Sequence, residues 1–431
     1  METTWPKKVA FSCILIYAQV MKTKLIIPIL IILMLISACA ILSAKPYNES
    51  SAVPVEKPAT ATQPELISTS SHETNVEEQP EGTEFDLLEL RMITAEIGWG
   101  ISGISGESLT VLRTIDGGKS WVDTRLAYEA GRDPNSIRMA SFFLNENIAW
   151  VAPYMTALPP LGEQVIWQTD DGGRHWKAAT IPVDGLMEAF SISHIQFINA
   201  YHGWLMAHVG AGMNHDYIVI YRTGDGGETW DKVVDPMNDS SGIQSCQKTG
   251  LLFVDAQRGW LTGTCNGVAA GVLLFHTSDG GAFWEDVQLP DPPGQAGLYA
   301  NFDAVCASQF PHAGVSSIQL EVACKIMSSP LEQPLAWLYT SSNDGVEWTI
   351  TNIPAGGLTY LPGGGVIIQG ETTSFLTPAG DLQAFPNLPD GFRMHFINDQ
   401  LGWMISETER EILATVDGGR TWTAVMPRII N

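Results

Sequence analysis

Thr114-Ile115-Asp116-Gly117-Gly118-Lys119-Ser120-Trp121 is the stretch whose reading decides the fold. It returns as Thr169-Asp170-Asp171-Gly172-Gly173-Arg174-His175-Trp176 and as Thr223-Gly224-Asp225-Gly226-Gly227-Glu228-Thr229-Trp230. Two more copies run from Thr277 through Asp279 to Trp284 and from Thr415 through Asp417 to Trp422. A weaker one, Ser341-Ser342-Asn343-Asp344-Gly345-Val346-Glu347-Trp348, completes the set. The first four aspartates lie 54 or 55 residues apart, a period that belongs to a repeat architecture.

A second signature precedes the boxes. Gln196-Phe197-Ile198-Asn199 leads into Gly203-Trp204, Leu252-Phe253-Val254-Asp255 into Gly259-Trp260, and His395-Phe396-Ile397-Asn398 into Gly402-Trp403. Looser versions end at Gly98-Trp99 and Ala149-Trp150. Each unit reads as four strands: an apolar segment closed by an Asn/Asp turn, a strand from Gly-Trp, a strand running into the box, and a strand from the box tryptophan. Alternation such as Tyr217-Ile218-Val219-Ile220-Tyr221 supports strand. Four-stranded antiparallel units at this period predict one all-β domain, a single β-propeller. The units fall at about 85–127, 138–182, 192–236, 248–290, 300–353 and 392–428. Residues 354–391 leave room for another, with Thr377-Pro378-Ala379-Gly380-Asp381 as an eroded box. The expected count is therefore seven blades, or six if 354–391 is a loop.

The box chemistry is that of a turn. Paired glycines adopt positive φ without steric cost, the Asp carboxylate accepts turn N–H groups, and Thr or Ser adds a hydroxyl bond. Asp116, Asp171, Asp225, Asp279, Asn343 and Asp417 are read as structural, as are the wedging tryptophans Trp121, Trp176, Trp230, Trp284, Trp348 and Trp422. The combined unit resembles the BNR/Asp-box repeat, specifically the photosystem II assembly-factor-like (YCF48-like) type, over about 85–428. The resemblance implies the propeller fold and says little of function, since such propellers serve many roles. In that family an arginine-rich face meets a membrane-protein partner; here residues from 85 onward hold 38 acidic and 17 basic side chains, so the partner does not carry over.

The chain as a whole has 47 Asp and Glu against 23 Lys and Arg, a net charge of −24. Such a surface repels phosphate backbones, which excludes nucleic acid as an expected partner, and it offers no basic patch to anionic lipid. Membrane attachment is expected instead at the N-terminus. Met21-Lys22-Thr23-Lys24, the apolar run 25–36 and Ser37-Ala38-Cys39 follow the layout of a secretory signal. This segment resembles a bacterial lipobox, which implies lipid on Cys39, a signal peptide over 21–38 and an envelope protein facing outward. A plain transmembrane anchor is the rival, and the apolar run is short for one. Residues 1–20 are read as a mis-started leader. Residues 39–84, rich in Pro, Glu, Ser and Thr, are read as a disordered tether with a reach of about 35–40 Å. The propeller is assigned 85–431.

Cys246 with Cys265 and Cys306 with Cys324 are spaced for adjacent strands; export permits two local disulfides, with zinc as a rival lacking any Cys-x-x-Cys pair. Loop variation concentrates at the end opposite the boxes, the side where ligands are expected. Tyr128, Tyr154 and Tyr299 are candidates for an aromatic rim there, and His208, His215 and Asp216 for a polar or metal-binding loop. No cofactor is expected. The functional expectation is a non-catalytic scaffold that binds a protein or glycan. The alternative is a glycan-acting hydrolase, because sialidases share the box; against it, no arginine triad or pair of converging carboxylates stands out.

Overall fold

A computed structural model describes residues 85–103, 109–126, 137–155, 164–183, 189–212, 215–237, 241–243, 246–265, 271–314, 316–328, 333–389, 391–406 and 411–430. Cys39, the signal segment, the tether and Tyr128 lie outside these residues. Every named element is a strand. The first sheet holds β1 (Asp86–Met92), β2 (Gly98–Gly103), β3 (Leu109–Thr114) and β4 (Ser120–Asp123). The second holds β5 (Ile137–Phe143), β6 (Ala149–Met155), β7 (Gln164–Thr169) and β8 (Lys177–Ile181). The third holds β9 (Ser191–Phe197), β10 (Gly203–Gly212), β11 (His215–Thr223) and β12 (Asp231–Val234).

Nine strands then form one continuous sheet. They are β13 (Gln247–Phe253), β14 (Gly259–Thr264), β15 (Leu273–Thr277), β16 (Glu285–Asp286), β17 (Ala304–Ser308), β18 (His312–Ala313), β19 (Ile318–Ile326), β20 (Leu335–Ser341) and β21 (Thr349–Ile353). Two four-stranded sheets follow. One is β22 (Gly357–Tyr360), β23 (Val366–Gln369), β24 (Thr373–Leu376) and β25 (Leu382–Ala384). The other is β26 (Gly391–Phe396), β27 (Gly402–Ser406), β28 (Ile412–Thr415) and β29 (Thr423–Val425). The last strand, β30 (Arg428–Ile430), pairs parallel with β4 and extends the first sheet.

The expected seven blades, with six as the alternative, are thus corrected: five sheets stand as discrete blades and the remaining strands share a nine-stranded sheet. Segments 248–290 and 300–353 were expected as separate blades, yet Thr264 pairs with Ala307 across them. The cause lies in β17, whose Ala304-Val305-Cys306-Ala307-Ser308 lacks the large residue that ends the other first strands, Phe143, Phe197, Phe253 or Phe396, Met92 in β1 and Tyr360 in β22. Its small side chains let the backbones approach. Ser308 Oγ accepts from Gly263 N at 3.0 Å and donates to Leu273 O at 2.7 Å, while Thr264 Oγ1 donates to Cys306 O at 3.3 Å.

The discrete blades are joined differently. Trp150 stacks on Phe197 of the next sheet with centroids 3.5 Å apart, and Trp204 stacks on Phe253 at 3.8 Å. Their indole N–H groups donate across the same joint, Trp150 to Gly226 O at 2.6 Å and Trp204 to Gly280 O at 3.1 Å. Trp99 lies on Phe143 at 5.4 Å and donates to Asn145 O. The glycines before Trp204, Trp260 and Trp403 are required because the Phe of their own first strand lies over them; a Cβ on Gly203 would meet the Phe197 ring at 2.4 Å. Buried clusters repeat this joint around the ring. The closing one sets Leu90, Met92 and Trp121 of the first sheet against Trp403, Ile405 and Ile412 of the last four-stranded sheet.

Candidate functional site

The box turns are closed systems. Thr223 Oγ1 donates to Asp225 Oδ1 at 2.8 Å and accepts from Gly227 N at 2.9 Å. Asp225 also accepts from Thr229 N and Thr229 Oγ1. Burial pushes the Asp225 carboxyl up, but the Thr229 and Thr223 bonds outweigh it and hold it at about 2. Thr421 does the same for Asp417, also at about 2, and the His175 bond holds Asp171 well below the carboxylate range. Asp116 and Asp279 are lowered too, the turn bonds overcoming their burial. Asn343 repeats the pattern in neutral form, accepting from Ser341 Oγ and Glu347 N. The first glycine of each strong box donates to the preceding turn, as Gly226 N does to Tyr201 O at 2.8 Å.

Box tryptophans Trp121, Trp230, Trp284 and Trp422 each donate Nε1–H to a glycine carbonyl of their own turn. Trp176 and Trp348 do not, and their buried N–H groups have no partner. The box tryptophans do sit at sheet joints, as Trp121 shows, yet at three joints the residue that both bonds and stacks across is the second-strand tryptophan, Trp99, Trp150 or Trp204.

The expected ligand side is divided among separate places. His208, His215 and Asp216 belong to strands, since β10 and β11 form a long hairpin rather than a loop. His208 Nδ1 lies 2.8 Å from Asp216 Oδ1. The other Asp216 oxygen accepts from Lys248 N, and the buried Lys248 ammonium donates to Asp216 O and Cys246 O. His215 instead lies against Tyr217 beside a cleft of about 340 Å³. Among the described residues no group of three or more His, Cys, Asp or Glu is placed to hold a metal. Tyr154 is half-buried on β6 opposite Arg138. Tyr299 points into the nine-stranded sheet, its hydroxyl 2.6 Å from that of Tyr339, which donates to Pro290 O. Burial and that contact raise the Tyr299 pKa, so its polar tip is committed inside the sheet rather than to a rim. Cys246 is bonded to Cys265 and Cys306 to Cys324, the second pair directly opposite in the β17–β19 register.

Further ionisable contacts gather on the first strands of the sheets and on β19. First strands of neighbouring sheets face one another, β5 with β9, β9 with β13, and β1 and β22 with β26. Arg91 of β1 donates from Nη1 to His395 Nδ1 of β26 at 2.9 Å, and His395 Nε2 lies 2.9 Å from Met92 O. A neutral ring with its proton on Nε2 satisfies both contacts. Burial and the Arg91 charge bring His395 to about 4, in keeping with that state. Arg91 is exposed to solvent yet hemmed in by protein, which lowers its pKa despite Glu89. Arg393 Nη1 donates to Leu88 O. Glu89 accepts from Ser141 Oγ at 2.6 Å across the next joint; burial nevertheless raises it. On the nine-stranded sheet His312 stacks on Tyr360 at 4.2 Å. Burial alone carries the Glu321 carboxyl up to about 7, and Glu321 in turn adds to the raised pKa of Tyr360. His194, stacked on Phe310 at 5.0 Å, falls to about 4 through burial and the nearby His208. The signal available in sequence was slight: charged or imidazole residues one and three places before the aromatic or Met that ends a first strand, as in Glu89 and Arg91 or Arg393 and His395.

No family model matches the chain, and no curated protein does. Among solved structures it is similar to YCF48 from Cyanidioschyzon merolae, 14% identical over 79% of this chain and 95% of that one, with a TM-score of 0.42. It is also similar to a Penicillium chrysogenum α-L-arabinanase complexed with arabinobiose, 12% identical over 68% and 93%, TM-score 0.40. A GH74 enzyme from Niastella koreensis is 13% identical over 80% of this chain and 62% of that one, TM-score 0.33. At such scores these likenesses carry no argument, and the propeller rests on the strand pairing described above.

Proposed function

We propose that this chain is a non-catalytic binding scaffold of the bacterial envelope, anchored by lipid on Cys39 and tethered so that the propeller meets a protein or glycan ligand. The observation that supports binding over catalysis is the pairing between first strands. Arg91 is held by His395, His395 by Met92 O, and Glu89 by Ser141, each across a sheet joint. These are orienting bonds between groups from different sheets. What they offer a ligand is Arg91, an exposed guanidinium inside a strongly acidic protein. Cationic, enclosed groups of this kind bind anionic or hydroxyl-rich ligands by charge-assisted hydrogen bonds.

A glycan-acting hydrolase is the second reading, favoured by two carboxyls, Glu89 of β1 and Glu321 of β19, both with raised pKa. One comparison separates the two. Lipidated wild-type chain, an Arg91→Ala/Arg393→Ala variant and a Glu89→Gln/Glu321→Gln variant are tested for capture of envelope polysaccharide and protein, and for release of reducing ends. The scaffold reading expects capture lost with the arginines, retained with the glutamines, and no reducing ends from any of them. Reducing ends released by the wild type and abolished in the glutamine variant would replace it with the hydrolase.

A further inference from the structure

The two box tryptophans whose N–H groups lack a partner each border a cleft. Trp348 lines one of about 850 Å³ with Leu289, Pro290 and Val346, and no Lys or Arg takes part in it. Trp176 lines one of about 910 Å³ between the first two sheets, and its walls have a different chemistry. Trp167 and Trp176 form one side; Val122, 43% exposed, and Ile430 of the added strand β30 form the other. Arg113 of the first sheet and Arg174 of the second both line this cleft. Their guanidiniums are directed to carbonyls, Arg113 to Glu146 O at 2.8 Å and Arg174 to Asp171 O at 3.4 Å, and neither of those bonds neutralises a charge. The Asp116 carboxylate beside them is already engaged by Thr114, Lys119 and Ser120. Two like charges held close, with a partly open apolar wall facing them, form a site complementary to a molecule with a flat or elongated apolar body and one anionic group.

We propose that the cleft between the first two sheets is a binding site for an amphipathic anion, an aromatic or long-chain carboxylate or sulfonate, held by Trp167, Trp176, Val122 and Ile430 and paired with Arg113 and Arg174. The site is separate from the first-strand groups and does not depend on the function assigned to them. Burial, and after it the nearby Arg174 charge, lower the Arg113 pKa despite Glu146, in line with a guanidinium that gains from a bound anion. The Trp348 cleft is the internal comparison, with the same aromatic corner and no cation.

The test uses the full chain with two fluorescent probes, 8-anilinonaphthalene-1-sulfonate and its uncharged relative N-phenyl-1-naphthylamine. The sulfonate is expected to bind saturably, and Arg174→Glu to weaken it about tenfold while changing the neutral probe less than about twofold. Arg174 is exposed, and an unchanged urea midpoint shows that the variant is folded. Failure of the sulfonate to bind the wild type, or equal effects of Arg174→Glu on both probes, would overturn the proposal.

Discussion

The joint between the second and third sheets and the junction inside the nine-stranded sheet solve one problem in two ways. At the first, Trp150 lies on Phe197 and donates to Gly226 O, so side chains alone hold two blades whose backbones stay apart. At the second, Trp260 has no first-strand Phe to meet. Its buried N–H is unpartnered, its ring contacts Trp348 at 5.9 Å, and it abuts Gly345 of the degenerate box. There the backbones hydrogen-bond directly through Thr264 and Ala307, and Ser308 bridges. A bulky residue at the end of the first strand, Phe197 here and Met92 at the closing joint, therefore keeps blades discrete, and small residues in its place let them fuse.

The largest expected effect is at the discrete joint. Trp150→Ala removes a fully buried indole with its stack and its bond, and is expected to cost about 3–5 kcal/mol in urea unfolding. Gly203→Ala at the same joint forces a methyl into the Phe197 ring, with about 1–3 kcal/mol expected from overpacking. At the fused junction Ser308→Ala strands the buried Gly263 N–H and is expected to cost about 1–3 kcal/mol. The same change opposite an intact aromatic joint, Ser193→Ala, removes only a hydroxyl bond to Met206 O and is expected to cost less than about 1 kcal/mol.

How much of this was legible in sequence follows from what repeats. Asp225, Gly226, Gly227 and Trp230 have counterparts that recur with their spacing, so the turn and the four-strand unit are readable from sequence. The blade count failed at Ala304–Ser308, because a missing Phe says nothing of what the backbone will do instead. The crossing role of Trp150 was assigned to the box tryptophans, since both recur and only geometry tells which N–H leaves its own sheet. Arg91, His395 and Glu321 do not recur, and nothing local in the sequence marks which partners they meet across a sheet joint. Tyr299 was misread because its hydroxyl partner, Tyr339, is 40 residues away.

A separate set of effects is expected with pH. Glu321 sits at about 7 in the fold against about 4.3 in an unfolded chain, so the folded state holds an extra proton between those values. Its contribution is present below about pH 4 and is lost as pH rises through 7; Glu321→Gln should flatten the fall in stability between pH 5 and 8. The box carboxylates act with opposite sign. Asp225, at about 2, contributes above about pH 4 and loses that contribution as pH falls toward 2, so Asp225→Asn should shallow the acid-side decline. Urea midpoints taken at each pH read both slopes.

The most direct test of the joint is a double-mutant cycle on Trp150→Leu and Phe197→Leu, read by urea unfolding. A stack across a sheet boundary predicts a coupling of about 0.5–1.5 kcal/mol between the two positions. Strict additivity of the two single losses would contradict the claim that this aromatic pair holds neighbouring blades together.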